Sequence, residues 1–325
     1  MLLTRAATFA LVTALIAGSA AAQDPTVLRE SSAVPSPVPM FSALGSSQCD
    51  SDGNLYFNTS LDPRDSGLLK IAHDGSKFRL YKLPSSDADT KYFFGQFNVT
   101  PSGDFRVLAQ GSDHATYVFL FDASLGSTSK TKLELPDHVR VNSFAAFESG
   151  TLLVTGYFSP KAEPQDQGKI YTAIFEASGK LRAVVTAHFA NFDLASIANK
   201  FKEGGAAIGE DGFLYLLRPN EVVVISENGT IVRRMPFNKP SAELIADRID
   251  VSGGLLDIEL LKDQGLGKEL KAQFLVLNAS TGKQVGLYHE PEPSFGSFVC
   301  FSRGEGFTFT TIRDDKLTLL TAPLR

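Results

Sequence analysis

Six times along this chain a short apolar stretch runs into a glycine turn and out again into an alternating run: SDGNLYF (51–57), PSGDFRVL (101–108), ESGTLLV (148–154), EDGFLYLL (210–217), VSGGLLDI (251–258) and RGEGFTFT (303–310). With the turn glycines Gly53, Gly103, Gly150, Gly212, Gly253 and Gly304 as anchors, the residue four places earlier is always small or apolar: Cys49, Val99, Ala146, Ile208, Ile249 and Cys300. Eight places earlier, glycine recurs in four of the six units, too often for unrelated strands. A second strand pair follows each anchor, as in KIYTAIFEASGKLRAVV and EVVVISENGTIVRRM, so each unit holds four strands at a spacing of about 50 residues, the period of propeller blades. The chain is predicted to be all-β, a six-bladed β-propeller.

The last unit ends one strand short at Arg325, and TVLRESSAV (26–34) is expected to supply the missing outer strand, removing an exposed sheet edge. The predicted organisation is a signal peptide over 1–22, an N-terminal segment over 23–41 that carries the closing strand, and a single propeller domain over 42–325. The leader reading rests on Arg5, an apolar run from Ala6 to Ala17 that is too short for a bilayer, and the small residues Ala20-Ala21-Ala22. Cleavage after Ala22 gives a secreted or periplasmic protein with no transmembrane segment in the mature chain, expected to be a monomer.

The formal charge of −5 offers no general attraction to a phosphate backbone, so nucleic acid is not an expected partner. The two cysteines, Cys49 and Cys300, share one offset in the innermost strands of the first and last units, which are neighbours once the ring closes. Export would permit a disulfide between them, and the alternative is two buried free thiols. The acidic turn Asp50-Ser51-Asp52-Gly53-Asn54 is not an EF-hand loop, because counting from Asp50 puts Leu55 at the sixth position and Leu61 at the twelfth. It reads as a hairpin turn.

Strand order in a propeller puts the glycine turns on one face and the longer connections on the other. The second group includes 58–67, 85–94, 156–168, 261–270 and 289–296, and variable loops on a rigid scaffold are where sites are usually built. One connection, 187–205, spaces Leu194, Ile197, Ala198 and Phe201 for one helix stripe, with Asp193 as an N-cap. It reads either as a lid over the central funnel or as a packing insertion. Five to eight residues before the anchors, the innermost strands carry Gln48, Gln96, Asn98 and Asn142. Ser143, Asp247 and Arg248 complete this polar ring, a candidate site for a small polar ligand or the lining of a water-filled channel.

The repeated DGNLYF-type turn over 42–325 resembles six-bladed propellers of the NHL-repeat and gluconolactonase-like groups. That resemblance implies a divalent cation such as calcium, held at the funnel by a Glu, Asn residues and an Asp. Asn98, Asn142 and Asp247 match in kind, while Gln48 or Ser47 stands near the place of the Glu. The streptogramin lyase group uses a funnel histidine as general base, and here His73, His114, His138, His188 and His289 all fall in or beside loops. No GxSxG elbow, HExxH helix, phosphate loop or CxxC pair is present. NTS (58–60), NVT (98–100), NGT (228–230) and NAS (278–280) match the glycosylation pattern. The expected function is a binding scaffold without a catalytic cofactor, whose long-loop face takes a protein, peptide or glycan. The alternative is a metal-dependent lactonase-like hydrolase or a lyase acting at the funnel.

Overall fold

The structure, a computed structural model, describes residues 25–38, 46–59, 67–82, 90–121, 128–185, 205–262, 272–302 and 304–324. Two short strands come first, β1 (Thr26–Val27) and β2 (Ser32–Pro35). Blade one is β3 (Ser47–Cys49), β4 (Leu55–Asn58), β5 (Gly67–Ile71) and β6 (Phe78–Lys82). Blade two is β7 (Thr90–Val99), β8 (Phe105–Gly111), β9 (Thr116–Phe121) and β10 (Thr128–Lys132), and blade three is β11 (Val139–Ala146), β12 (Leu152–Phe158), β13 (Ile170–Phe175) and β14 (Leu181–Val184). Blade four is β15 (Ala206–Ile208), β16 (Leu214–Arg218), β17 (Glu221–Ile225) and β18 (Ile231–Pro236). Blade five is β19 (Leu244–Ser252), β20 (Leu255–Lys262), β21 (Ala272–Asn278) and β22 (Gln284–His289), and blade six begins with β23 (Ser297–Ser302), β24 (Gly306–Arg313) and β25 (Lys316–Ala322). The protein is therefore a six-bladed β-propeller of small antiparallel sheets. No helix among the described residues is long and apolar enough to cross a membrane.

The turns explain the anchor glycines. In four blades the anchor amide bonds to the carbonyl three residues back, and that earlier residue's own amide bonds to the carbonyl just past the anchor. The pairs are Gly53 with Asp50, Gly103 with Thr100, Gly150 with Phe147 and Gly212 with Gly209. This closure holds the anchors at φ of 76°, 88°, 92° and 77°, where glycine lacks the steric cost of a side chain. Blade five is tighter: Ser252 pairs directly with Leu255, so Gly253 and Gly254 form a two-residue turn with φ of 56° and 74°. In blade six the left-handed residue is Gly306 (φ 80°), two residues after the expected anchor Gly304, because β24 starts with it. The acidic turn of blade one is structural. Asp50 Oδ1 accepts from the amides of Asp52 (3.1 Å) and Asn54 (2.8 Å), and Oδ2 accepts from the Tyr56 hydroxyl (3.0 Å) and faces Lys70 (3.5 Å).

Each pair of neighbouring blades encloses its own apolar core, and the six cores together close the ring. Phenylalanine rings fill much of these cores. Phe105 stacks on Phe121 at 4.8 Å between blades one and two, and Phe274, Phe307 and Phe309 cluster between blades five and six.

The N-terminal segment closes the ring by a route that differs in part from expectation. β2 pairs antiparallel with β25, Ser32 opposite Thr321 through Pro35 opposite Thr318, and completes blade six. The earlier part of the segment does not continue that strand. β1 pairs parallel with β22 and adds a fifth strand to blade five, and Glu30 between them bonds Arg313 through both carboxylate oxygens (3.1 and 2.7 Å). At the inner end of the same seam Cys49 and Cys300 form a disulfide, with Cα atoms 6.0 Å apart across 251 residues of chain.

Candidate functional site

The innermost strands β3, β7, β11, β15, β19 and β23 surround a central cavity of about 620 Å³. All seven residues of the expected polar ring line it: Gln48, Gln96, Asn98, Asn142 and Ser143 on blades one to three, with Asp247 and Arg248 on blade five. β-Bulges set two of these positions. The pairing of β11 slips between Val141 and Ser143, leaving Asn142 as the extra residue, and that of β19 slips between Ala246 and Arg248, leaving Asp247. Such an insertion re-aims a side chain out of the regular alternation, so Asp247 and its sequence neighbour both reach the cavity wall.

The amides do more than face the cavity. Gln48 donates from Nε2 to the Phe97 carbonyl (2.7 Å) and accepts at Oε1 from the Val99 amide (2.8 Å), tying β3 to β7. Asn98, 2% exposed, accepts at Oδ1 from the Ala146 amide (2.9 Å), and Gln96 donates to the Asn142 carbonyl, so both tie β7 to β11. Innermost strands of neighbouring blades diverge too far for ladder pairing, and these side chains bridge the gap. Gln96 Oε1 and Ser143 Oγ remain buried without a hydrogen-bond partner.

Blade five differs. Arg248 donates to Ser47 Oγ (3.1 Å) and to Asp250 Oδ1 (3.1 Å), and its guanidinium lies 5.0 Å from the Phe298 ring centre. Asp250 Oδ2 accepts from the Phe301 amide (3.2 Å), joining blade five to blade six. The pairing of β19 with β20 places Asp257 opposite Asp250 and Glu259 opposite Arg248, which puts one guanidinium and three carboxyl groups on one face of the sheet. Asp257 is wholly buried and neither of its oxygens has a hydrogen-bond partner. Burial, followed by the charges of Asp250 and Glu259, pushes its carboxyl well above the usual range, and burial raises Asp250 as well, against the pull of Arg248.

Asp250, Asp257 and Glu259 were not among the expected site residues. They stand at equal distances either side of the Gly253-Gly254 turn from Asp257, Asp250 and Arg248, so a two-residue hairpin read in DRIDVSGGLLDIEL contains the pairing. A window of five to eight residues before each anchor does not reach them.

The cation set implied by the family resemblance fits poorly. Asn98 Oδ1 is committed to the Ala146 amide, and Gln48 is engaged at both ends. Among the described residues no group of three or more His, Cys, Asp or Glu side chains is placed to hold a metal. The histidines that the structure describes lie away from the cavity: His114 and His138 occupy turn positions at φ of 64° and 66°, and His114 takes the place that glycine fills in the related turns. His188 and, but for Gly205, the 187–205 connection read as a lid or a packing insertion lie outside the described residues.

No protein-family model matches the chain, and no curated protein matches its sequence. Solved structures do match. The fold aligns with a protein provisionally named a gluconolactonase at a TM-score of 0.52, with 12% identity over 92% of this chain and 95% of that one. It aligns with a luciferin-regenerating enzyme at 0.50, with 12% identity over 90% and 97%. A catalytically inactive virginiamycin B lyase from Staphylococcus aureus, in complex with quinupristin, aligns at 0.46, with 15% identity over 88% and 82%. The likeness is one of fold. Gluconolactonase-like and lyase propellers are structural neighbours of this chain, and at these identities their chemistry does not carry across.

Proposed function

We propose that this chain is an exported binding propeller, secreted or periplasmic once residues 1–22 are removed, whose long-loop face captures a protein, peptide or glycan and whose central cavity receives a polar part of it. The observation that carries this reading is the division of labour inside the ring: polar side chains line the cavity, while two of the groups that the family resemblance would enlist around a cation, Gln48 and Asn98, hold neighbouring strands together. On the long-loop face, residues 159–169 are ordered by their own bonds. Gln167 donates to the carbonyls of Pro160 (3.1 Å) and Ala162 (3.0 Å), and Lys161, Glu163 and Gln165 stand exposed, a pre-organised surface of the kind that binding proteins use.

The second reading, a lactonase-like hydrolase or a lyase, is supported by the bulges that turn Asn142 and Asp247 into one cavity. Both would contribute oxygen ligands to a divalent cation such as calcium; Asn98 would not. One series separates the two. The mature protein is melted in EDTA and in Ca²⁺, Mg²⁺ or Zn²⁺, and in parallel is screened on glycan and peptide arrays with and without replacement of 156–168. The binding reading expects a metal-indifferent midpoint and array capture that the replacement abolishes. A selective metal ion at 100 times its Kd would instead add about 2.7 kcal/mol, and loss of that shift in Asp247→Ala would decide for the enzyme.

A further inference from the structure

The outer rim of the propeller is a ring of sheet edges, and among the described residues those of blades two to six are blunted. Blades five and six are capped by β1 and β2, the pairings of β14 and β18 are bulged between Ile174 and Phe175 and between Val224 and Ile225, and β10 reads TSKTK, with no apolar residue. β6 (Phe78–Lys82) of blade one is different. It pairs with β5 without a break, from Gly67 opposite Lys82 to Ile71 opposite Phe78, and its other side pairs with no strand. The Ala72 amide bonds to the Lys77 carbonyl just before β6, and antiparallel bonding alternates, so residues 79 and 81 bond inward to β5 while 78, 80 and 82 turn their amide and carbonyl groups away from the sheet. The side chains divide by face. Phe78 and Leu80, 42% and 41% exposed, extend outward the apolar face on which their partners Ile71 and Leu69 pack against blade six. Lys77, one place before the strand, and Arg79 stand exposed on the other face, Arg79 over the ring of the buried Tyr81 (4.7 Å). The acid of the adjoining turn, Asp74, is taken up by the amide and hydroxyl of Ser76 (2.9 and 2.7 Å), so the edge is basic on a chain of formal charge −5.

From this arrangement we infer that β6 is a docking edge for an extended segment of another protein whose side chains alternate between apolar and acidic. The segment adds a fifth strand to blade one, its backbone bonding the outward groups of residues 78, 80 and 82. Residues directly opposite across a ladder share a face, so its apolar side chains lie beside Phe78 and Leu80 and its acidic ones beside Lys77 and Arg79. Main-chain bonds supply the affinity, and the two-faced pattern supplies the selectivity. Charge decides the occupant. A second copy of β6 brings its own Lys77 and Arg79 to the same edge, where like charges oppose the pairing, whereas an acidic strand neutralises them. The rim lies apart from the long-loop face, so this site adds a partner to the proposed function and does not depend on it.

The test uses the mature protein and fluorescein-labelled hexapeptides read by anisotropy: VEVEVE, its basic counterpart VKVKVK, and VEVEVE N-methylated at its valines, whose amides face β6 in this pairing. VEVEVE should bind at submillimolar concentration, about tenfold tighter than VKVKVK, the combined effect of the opposite-charge pairs across the ladder. The N-methylated probe should not bind. Leu80→Pro withdraws the outward amide of residue 80 and leaves the inner ladder intact, the kind of edge position that tolerates proline, and should abolish VEVEVE binding. Leu80→Glu keeps the backbone and sets an acid against the probe; it should do the same, and it carries the test should Leu80→Pro fail to fold. Equal binding of VEVEVE and VKVKVK overturns the docking edge, as does binding that survives N-methylation or both variants, or failure of VEVEVE to bind at millimolar concentration. Sedimentation of the peptide-free protein as a dimer that Leu80→Glu dissociates also overturns it, in favour of a second copy as the occupant. Array capture by the long-loop face is scored on the same variants, so failure of the edge and failure of the binding reading give different results.

Discussion

The two walls of the central cavity are built from the same repeated strand and put to opposite uses. On blades one and two, the polar side chains of the innermost strands are anchored in neighbouring backbone: Gln48 in β7 and Asn98 in β11. Together with the Cys49–Cys300 disulfide they hold four successive innermost strands, from blade six round to blade three. On blade five the polar side chains include a carboxyl group that bonds to nothing and others that crowd like charges together. A repeat fold supplies equivalent positions at every blade, so the difference is one of residue choice: neutral amides clamp blades one to three, while blade five joins blade six through the carboxylate of Asp250 and adds Asp257, which bridges nothing. One wall is clamped by neutral amides, and the other concentrates like charges.

The largest expected effect breaks the stabilised side. The disulfide closes a loop across a sequence separation of 251, and by chain entropy such a cross-link is worth about 5.5 kcal/mol. Cys49→Ser with Cys300→Ser, or reduction of the native protein, should lower the denaturant midpoint accordingly, with the slope changing as the unfolded chain expands. An unmoved midpoint would mean that the seam is closed by β2 and the core around Val299, Leu317 and Leu319 alone.

A smaller effect sharpens the comparison within the polar ring. Asn98→Ala removes the acceptor of the Ala146 amide and leaves that buried group unpaired, at a cost of about 2 kcal/mol. Ser143→Ala, on the neighbouring innermost strand β11, removes a buried hydroxyl that has no partner and should hold or slightly raise the thermal midpoint. If the two variants melt alike, the amide does not act as a clamp between blades two and three.

Much of this architecture is legible in the order of the residues. The anchor glycines report backbone conformation, which a sequence states openly because only glycine takes φ near +80° without steric cost, and they locate every one of these hairpins, missing only the two-residue shift from Gly304 to Gly306. The seven ring residues are legible for the same reason, since a fixed distance from the turn is a fixed height on the strand. What the side chains do there is not. Whether Asn98 faces a ligand or an amide of β11 depends on how far apart neighbouring blades stand, a property of the whole ring. The division of the N-terminal segment between blades five and six is hidden similarly, because β1 is two residues long and carries no alternation. The acidic face of blade five needs only a pairing argument across Gly253-Gly254.

The subtlest expected effect concerns that face and turns on a proton. Asp257 has its folded-state carboxyl raised well above the ordinary value, first by burial and then by Asp250 and Glu259. A group raised in this way favours the folded state fully below its unfolded-state value and progressively loses that contribution as pH rises through the folded-state value. The native protein should therefore lose stability on going from acid towards neutral and alkaline pH, as far as this group is concerned. Asp257→Asn keeps the shape of the side chain and removes its titration. Below the ordinary carboxylate range the variant and the native protein should melt together, because both are neutral at position 257, and as pH increases the variant should become the more stable of the two. Melting curves across the pH range read this directly. Parallel profiles for the two proteins would show that Asp257 ionises as easily folded as unfolded, and blade five would then carry no more electrostatic cost than the amide wall opposite.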